Sequence, residues 1–317
     1  MSRNLTRRNL LKATIAAGVA SRYAMADGNP AAHLKLGIIS DELTDNLEQA
    51  LDFISHYNLH GTELRVIWGK NIMASPQADL DRAKKLLAEH KVQVSDIASP
   101  IFKWNLPQMP AKADEKRDTF NASFIEEDGE KLLEDSFRLA RFFGTNKVRI
   151  FSYWRVKDPD KAYPYVRDRL AKAAQTAARN DVILVLENEH SCNIGTGREL
   201  GRILKDVNSP HLRGNWDPGN AVMLGEYPYS EGYDAVRGLF AHVHIKDVRK
   251  DPKTGKLDWA PVGAGVVDWK GQFQAFRRDG YQGTMSLETH YRRADGNKVE
   301  STRESLEGIF EALKVNS

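Results

Sequence analysis

The chain has 317 residues, 41% of them hydrophobic and 28% charged, a balance that fits one large α/β domain or two small ones. Its formal charge of +3 comes from the leader, because residues 1–26 hold Arg3, Arg7, Arg8, Lys12 and Arg22 and no acid. Without those five of its 46 basic side chains the chain has 41 against 43 acidic ones, a net −2 with no cationic excess for a phosphate backbone, which excludes nucleic acid as an expected partner.

The leader reads in three parts. Thr6-Arg7-Arg8-Asn9-Leu10-Leu11-Lys12 resembles the twin-arginine export signal, residues 13–20 form a weak apolar stretch, and Ala24-Met25-Ala26 supplies a small-x-small cleavage pattern. The expected layout is a signal peptide over 1–26, a short linker over 27–33 and one domain over 34–317, with the periplasm as destination. The apolar stretch falls far short of the ~20 residues that span a bilayer, so no permanent membrane anchor is expected. The one cysteine, Cys192, allows no intramolecular disulfide and reads as a small buried residue.

From residue 34 onward, short apolar β-like runs alternate with longer helical patterns. The runs cover 34–40, 61–66, 92–98, 147–153, 182–187, 213–217, 241–247 and 284–288. Several are nearly continuous hydrophobe, as in Val182-Ile183-Leu184-Val185-Leu186, which predicts parallel strands covered on both faces. Amphipathic patterns follow at 79–87, 130–143, 165–179 and 300–313; the first places Leu80, Ala83 and Leu87 on one stripe. Eight strands, each followed by a helix, predict a single (β/α)8 TIM barrel. A doubly wound sheet is the rival, but no Gly-rich dinucleotide fingerprint follows the first strand. Two long connections, 100–124 and 248–269, carry aromatic residues and read as lids or substrate walls, or equally as a subunit interface, which leaves a homo-oligomer open.

The chemistry gathers at the ends of the last four runs: Leu186-Glu187-Asn188, Trp216-Asp217-Pro218, His242-Val243-His244 and Leu287-Glu288-Thr289-His290. A parallel barrel brings adjacent strand ends together, so Glu187, Asp217, His244 and Glu288 are expected to converge. Three carboxylates and an imidazole make an oxygen-rich site for one divalent metal ion, Mn2+ first, with Mg2+, Co2+ and Zn2+ as alternatives. Each acid alone would be a salt bridge or helix cap; four on consecutive strands form a set.

Those motifs, with Trp216-Asp217-Pro218-Gly219-Asn220, His242-Val243-His244-Ile245-Lys246-Asp247, Pro261-Val262-Gly263-Ala264-Gly265-Val266-Val267-Asp268-Trp269, Gly280-Tyr281-Gln282-Gly283 and Ser286-Leu287-Glu288, resemble the xylose isomerase-like TIM-barrel superfamily. The match within it is to the sugar phosphate isomerase/epimerase branch, which includes D-tagatose 3-epimerase, hydroxypyruvate isomerase and inosose dehydratase. The resemblance covers 34–315 and implies that Glu187, Asp217, His244 and Glu288 are metal ligands. His244 is the one that the His-x-His pattern selects, while His242 reads as a packed, hydrogen-bonded core residue. It also implies that Glu187 and Glu288 move protons on opposite faces of a carbohydrate substrate. Two departures stand out: Asn220 replaces a histidine three residues after the strand-six aspartate, and Asn193 replaces a glutamate six residues after the strand-five ligand. An amide orients a hydroxyl but is no acid near neutral pH, which weighs against ordinary C3 epimerisation and leaves a related enolisation.

Around this set, His190, Asn220, Lys246, Arg249, Glu63 and Trp104 are the candidates for substrate contact. Lys246 would steady an oxyanion, Arg249 would hold a polar substrate or simply be solvated, and Glu63 with Arg65 would form a polar wall or a simple ion pair. Tryptophans at strand ends stack on sugars or, more commonly, are buried under loops. The leading expectation is a metal-dependent isomerase or epimerase acting through an enediolate. A lyase, dehydratase or decarboxylase on a 3-keto sugar or sugar acid is the second reading, and a non-catalytic periplasmic sugar-binding protein the third.

Overall fold

The computed structural model describes residues 34–107, 109 and 118–314; the signal peptide and linker read at 1–33 lie outside the described residues. Among these, eight parallel strands close into a barrel: β1 (Lys35–Ile39), β2 (Gly61–Leu64), β3 (Gln93–Ala98), β4 (Lys147–Ile150), β5 (Ile183–Glu187), β6 (Leu212–Trp216), β7 (Phe240–Ile245) and β8 (Thr284–Leu287). Each pairs with its sequence neighbours, and β8 closes on β1 through Lys35–Thr284 and Ile38–Leu287. Every expected run is a barrel strand.

Period-two alternation divides each strand between two environments. Leu36, Ile38, Val148, Ile150, Leu184, Leu186, Val243, Ile245, Met285 and Leu287 join the large apolar core between strands and helices. Many of the alternate residues are polar or charged and buried, among them Glu63, Arg149, Glu187, His242, His244 and Ser286. His242 of β7 touches Glu63 of β2, with two strands between them around the wall, a contact that only crosses through the barrel's interior. A TIM-barrel interior is usually filled by branched aliphatic side chains; this one holds buried charge.

Among the described residues, eight α-helices of six or more residues wrap the barrel: α1 (Leu47–His56), α2 (Gln77–His90), α3 (Gly129–Phe143), α4 (Pro159–Arg179), α5 (Gly197–Val207), α6 (Pro218–Met223), α7 (Trp269–Arg278) and α8 (Lys298–Lys314). Their starts follow local chemistry. Asn46 caps α1 by accepting from Gln49 N–H, and Thr196 with Glu199 forms a capping box on α5. Helix α4 begins six residues before the expected 165, because Asp158 caps it and Pro159 occupies its first turn, with Pro164 carried inside. Among the described residues no helix is long and apolar enough to cross a membrane.

The connection after β7 is a hairpin, Asp247–Lys250 against Leu257–Ala260, followed by a loop folded around Asp247. The Asp247 carboxylate accepts backbone N–H groups from Val248, Gly263, Gly265 and Val267, which explains the Gly-rich run as a wrap around one acid. Helix α8 docks on this loop at Gly308, where an added Cβ would lie 1.7 Å from the Val262 carbonyl oxygen. Gly308→Ala is therefore expected to destabilise the fold by about 1–3 kcal/mol, as overpacking does, read as a lowered thermal midpoint; an unchanged midpoint would show that this contact yields freely.

Candidate metal centre

Glu187 ends β5, Asp217 follows β6, His244 lies near the end of β7 and Glu288 follows β8. All four are buried, and each offers a ligand atom within 4.8 Å of the other three. Local backbone contacts fix two of them. Asn188 Oδ1 accepts from Asp217 N–H at 2.8 Å and Asn188 Nδ2 donates to the Asp217 carbonyl at 2.7 Å, which ties the end of β5 to that of β6. Asp217 then caps α6, its Oδ1 accepting from Asn220 N–H, and Oδ2 is left facing the centre.

The remaining atoms show what the cluster lacks. His244 Nδ1 lies 3.3 Å from Glu288 Oε2, 3.4 Å from Glu187 Oε1 and 3.8 Å from Asp217 Oδ2, with no hydrogen-bond alignment to any. Glu187 Oε2 is likewise without a hydrogen bond, and Asp217 Oδ2 has only an ion-pair contact with Lys246 Nζ at 2.9 Å. Buried polar atoms are nearly always satisfied. Two of these atoms, His244 Nδ1 and Asp217 Oδ2, lie together with Glu187 Oε1 and Glu288 Oε2, while Glu187 Oε2 faces Arg149; three carboxylates and an imidazole so gathered fit a divalent cation.

Electrostatics agrees. Burial disfavours charge on His244, but Glu63, Glu187 and Glu288 outweigh it and raise its pKa well above the ordinary range. Burial lifts Asp217 to about 6; Lys246 opposes the shift, and Glu187 and Glu288 add to it. The cluster thus favours protons on a base and an acid, the kind of positive charge that a cation would supply. Lys246 donates to Glu288 Oε2 at 2.6 Å, and Arg65 Nη1 to Glu288 Oε1 at 3.2 Å. Burial pushes Glu288 up, yet Lys246, His290 and His244 hold its carboxyl well below the usual carboxylate range.

Beneath the centre, Glu63 holds both histidines. Its Oε1 is 2.7 Å from His242 Nε2 and its Oε2 is 3.2 Å from His244 Nε2. Burial lowers His242, so its neutral ring donates from Nε2 to Glu63 and accepts at Nδ1 from Thr284, 2.7 Å away. A carboxylate on the far nitrogen of His244 fixes the ring with Nδ1 toward the centre, the arrangement that orients metal-bound histidines.

The model of the xylose isomerase-like TIM barrel family matches residues 51–312. The chain belongs to that family. Inosose dehydratase of Geobacillus thermodenitrificans (strain NG80-2) is 24% identical over 234 residues, 68% of this chain and 76% of the relative. A xylose isomerase-like TIM barrel protein from Mycobacterium smegmatis, solved in complex with magnesium, superposes with a TM-score of 0.60 at 21% identity, covering 84% of this chain and 89% of that one. The 3-keto-D-glucoside 4-epimerase of E. coli gives 0.63 at 20% identity, covering 87% and 98%.

On this xylose isomerase-like barrel, the other expected residues separate into two groups. Asn220 Nδ2 donates to Glu187 Oε1 at 3.2 Å, and its Oδ1 lies 2.9 Å from His190 Nδ1. His190 also lies 3.0 Å from Glu189 Oε1 and edges onto Trp259, whose other side meets His290. These residues and Lys246 surround the centre; Gly219 makes room for Lys246, since a Cβ there would lie 2.8 Å from Lys246 Cγ. Asn193, the second departure, donates to the carbonyls of Ser152, Tyr153 and Trp154 and serves as a loop strut.

Three expectations are corrected. Glu63 and Arg65 do not pair with each other: Glu63 serves the histidines, while Arg65 bonds Asp41, Glu42 and Glu288. Arg249 lies on the exposed hairpin, paired across the ladder with Asp258 and away from the centre. Trp104 is buried against Phe102 and Tyr153 with its Nε1 donating to Glu126, and it lines a cavity of about 420 Å3 that none of the four cluster residues borders. Sequence reasoning missed Asp41, Glu42 and Arg149. The first two directly follow the first apolar run, and Arg149 interrupts the fourth, its Nη1 lying 3.5 Å from Glu187 Oε2.

Two outcomes follow. Ion binding needs Asp217 ionised and His244 neutral; Asp217's pKa sits near 6 and His244's lies well above its ordinary range, so affinity for Mn2+ should rise with pH through 6 and beyond it. Calorimetric titrations at pH 5 and 7 check this, and equal affinities would contradict it. Glu63→Gln, which weakens the hold on His244, should cost roughly 10–100-fold in Mn2+ affinity; retention of full affinity would remove Glu63 from that role.

Proposed function

We propose that the chain is a divalent-metal-dependent isomerase or epimerase of a sugar or keto-sugar, working through an enediolate. The observation that carries this reading is the convergence of Glu187, Asp217, His244 and Glu288 on one point with donor atoms unsatisfied. Glu187, Asp217, His244 and Glu288 would hold the ion, Mn2+ in our proposal, and it would supply Lewis-acid polarisation of a substrate carbonyl.

The two glutamates divide the proton work. Glu187 Oε2 has no hydrogen bond and serves as the base that removes the proton from the carbon beside the carbonyl. Glu288 has cations on both oxygens, Arg65 on one and Lys246 on the other, so it is the weaker base. The Glu288–Lys246 pair instead returns a proton from the second side, and the ammonium of Lys246 steadies the negative oxygen of the enediolate. His190 and Asn220, joined at 2.9 Å, position substrate hydroxyls.

A second reading keeps the centre and changes the outcome. Lys246 is a buried proton donor beside Glu288, and a group expelled from the carbon next to the enediolate could be protonated there, which would make the protein a lyase or dehydratase. Similarity to inosose dehydratase supports this alternative. The leader residues support a periplasmic location reached by the twin-arginine route, with a small carbohydrate as substrate.

Proton NMR of 3-keto glycosides in D2O with the Mn2+-loaded protein distinguishes the outcomes. Deuterium uptake without fragmentation is expected for an isomerase, and a new alkene or free aglycone for a lyase. Glu187→Gln at saturating Mn2+ should slow uptake by roughly 10²- to 10⁴-fold, the usual worth of a positioned base; turnover at the wild-type rate would refute the assignment.

A further inference from the structure

Among the described residues, four buried Lys and Arg side chains reach the barrel mouth, and they are not equally satisfied. Arg65 bonds three carboxylates, and Lys246 is held by Glu288 and Asp217. Lys103 and Arg149 have only long ion-pair contacts and no carboxylate hydrogen bond. Lys103 Nζ comes no closer than 3.8 Å to Glu189 Oε2 and otherwise faces the rings of Phe120 at 3.9 Å, Phe151 at 4.5 Å and Trp154 at 5.6 Å. Arg149, fully buried, donates from Nη2 to the Ala98 carbonyl at 3.3 Å and leaves Nε and Nη1 without an acceptor. Its guanidinium lies over the same two rings, 5.0 Å from Phe120 and 4.7 Å from Phe151.

A cation taken from water without a charge-assisted hydrogen bond is costly, and an aromatic face compensates only in part. The two cations share the Phe120 and Phe151 rings, and one of them lies 3.5 Å from Glu187 of the metal centre. We propose that Lys103 and Arg149 form a receptor for a carboxylate on the substrate, with the Phe120 ring as its place-holder until the acid arrives. Resting on the enolisation reading, this names the substrate class: a keto sugar acid, its carbonyl end at the metal centre and its carboxylate on the β3–β4 side. The nearby Glu187 and Glu189 favour a single negative charge over a phosphate dianion, and the slot that a flat ring fills suits a planar group.

Calorimetry on the full-length Mn2+-loaded protein, with D-fructuronate and D-fructose as probes, tests this, since the two share one ketose skeleton and differ in the carboxylate. The acid is expected to bind at least ten times more tightly. Lys103→Met and Arg149→Gln should each reduce that preference to within about twofold, while Lys103→Met keeps wild-type manganese content and D-fructose affinity. Phe120→Ala should tighten binding of the acid; an unchanged value removes the ring's part as place-holder. Equal affinities, no binding of the acid, or a preference that survives both cation variants overturns the receptor. Deuterium uptake into D-fructose is read separately: exchange without acid preference defeats the receptor alone, and acid preference without exchange defeats the enolisation reading alone.

Discussion

Three carboxylates crowded around one imidazole, out of water, form the constraint from which the rest of the site follows. At separations near 4 Å and an effective dielectric of about 20, each pair of like charges repels by about 4 kcal/mol. The fold answers with cations beside the carboxylates: Arg65 and Lys246 on Glu288, and Arg149 facing Glu187. Asp217 Oδ2 and His244 Nδ1 stay without hydrogen bonds, and the remaining demand for positive charge shows in the upward shifts of His244 and Asp217.

The barrel meets this demand through strand alternation. Each strand that delivers an acid inward turns the neighbouring Leu, Ile or Val outward to the helices, so buried charge and the apolar core are separated by one pleat. Closure of eight strands brings β2 opposite β7, and Glu63 can grip His242 and His244 across the interior. The loops then add a rim: Asn188 and the Asp217 cap fix the β5 and β6 ends, and the Asp247 wrap sets the hairpin that carries Trp259 between His190 and His290.

Much of this was legible in the sequence. The apolar runs located all eight strands because parallel strands are covered outside whatever lines their inside, and the four converging residues were legible as acids and a histidine closing those runs. The inward partners were harder to read. Glu63 and Arg65 are two residues apart, which suggests a mutual pair, yet each reaches a different strand across the barrel. Arg249 follows His244 closely in sequence, but the ladder of the hairpin turns it to solvent against Asp258. Trp104 sits in a long loop like a sugar-stacking residue, yet the carboxylate of Glu126 draws its indole N–H into the packing around Tyr153. Glu63, Arg65 and Trp104 have partners distant in sequence and Arg249 a partner across a hairpin, and strand periodicity encodes neither.

The central claim is that one cation belongs among Glu187, Asp217, His244 and Glu288. Among the described residues two other acid–histidine groups, the buried Glu63 with His242 and His244, and Glu42 and Glu288 with the half-buried His290, stand nearby as competitors. Anomalous diffraction at the manganese edge from crystals grown with Mn2+ decides among them. A single peak bounded by Glu187, Asp217, His244 and Glu288 is the expected result; no peak, or one centred on either competing group, would contradict the account.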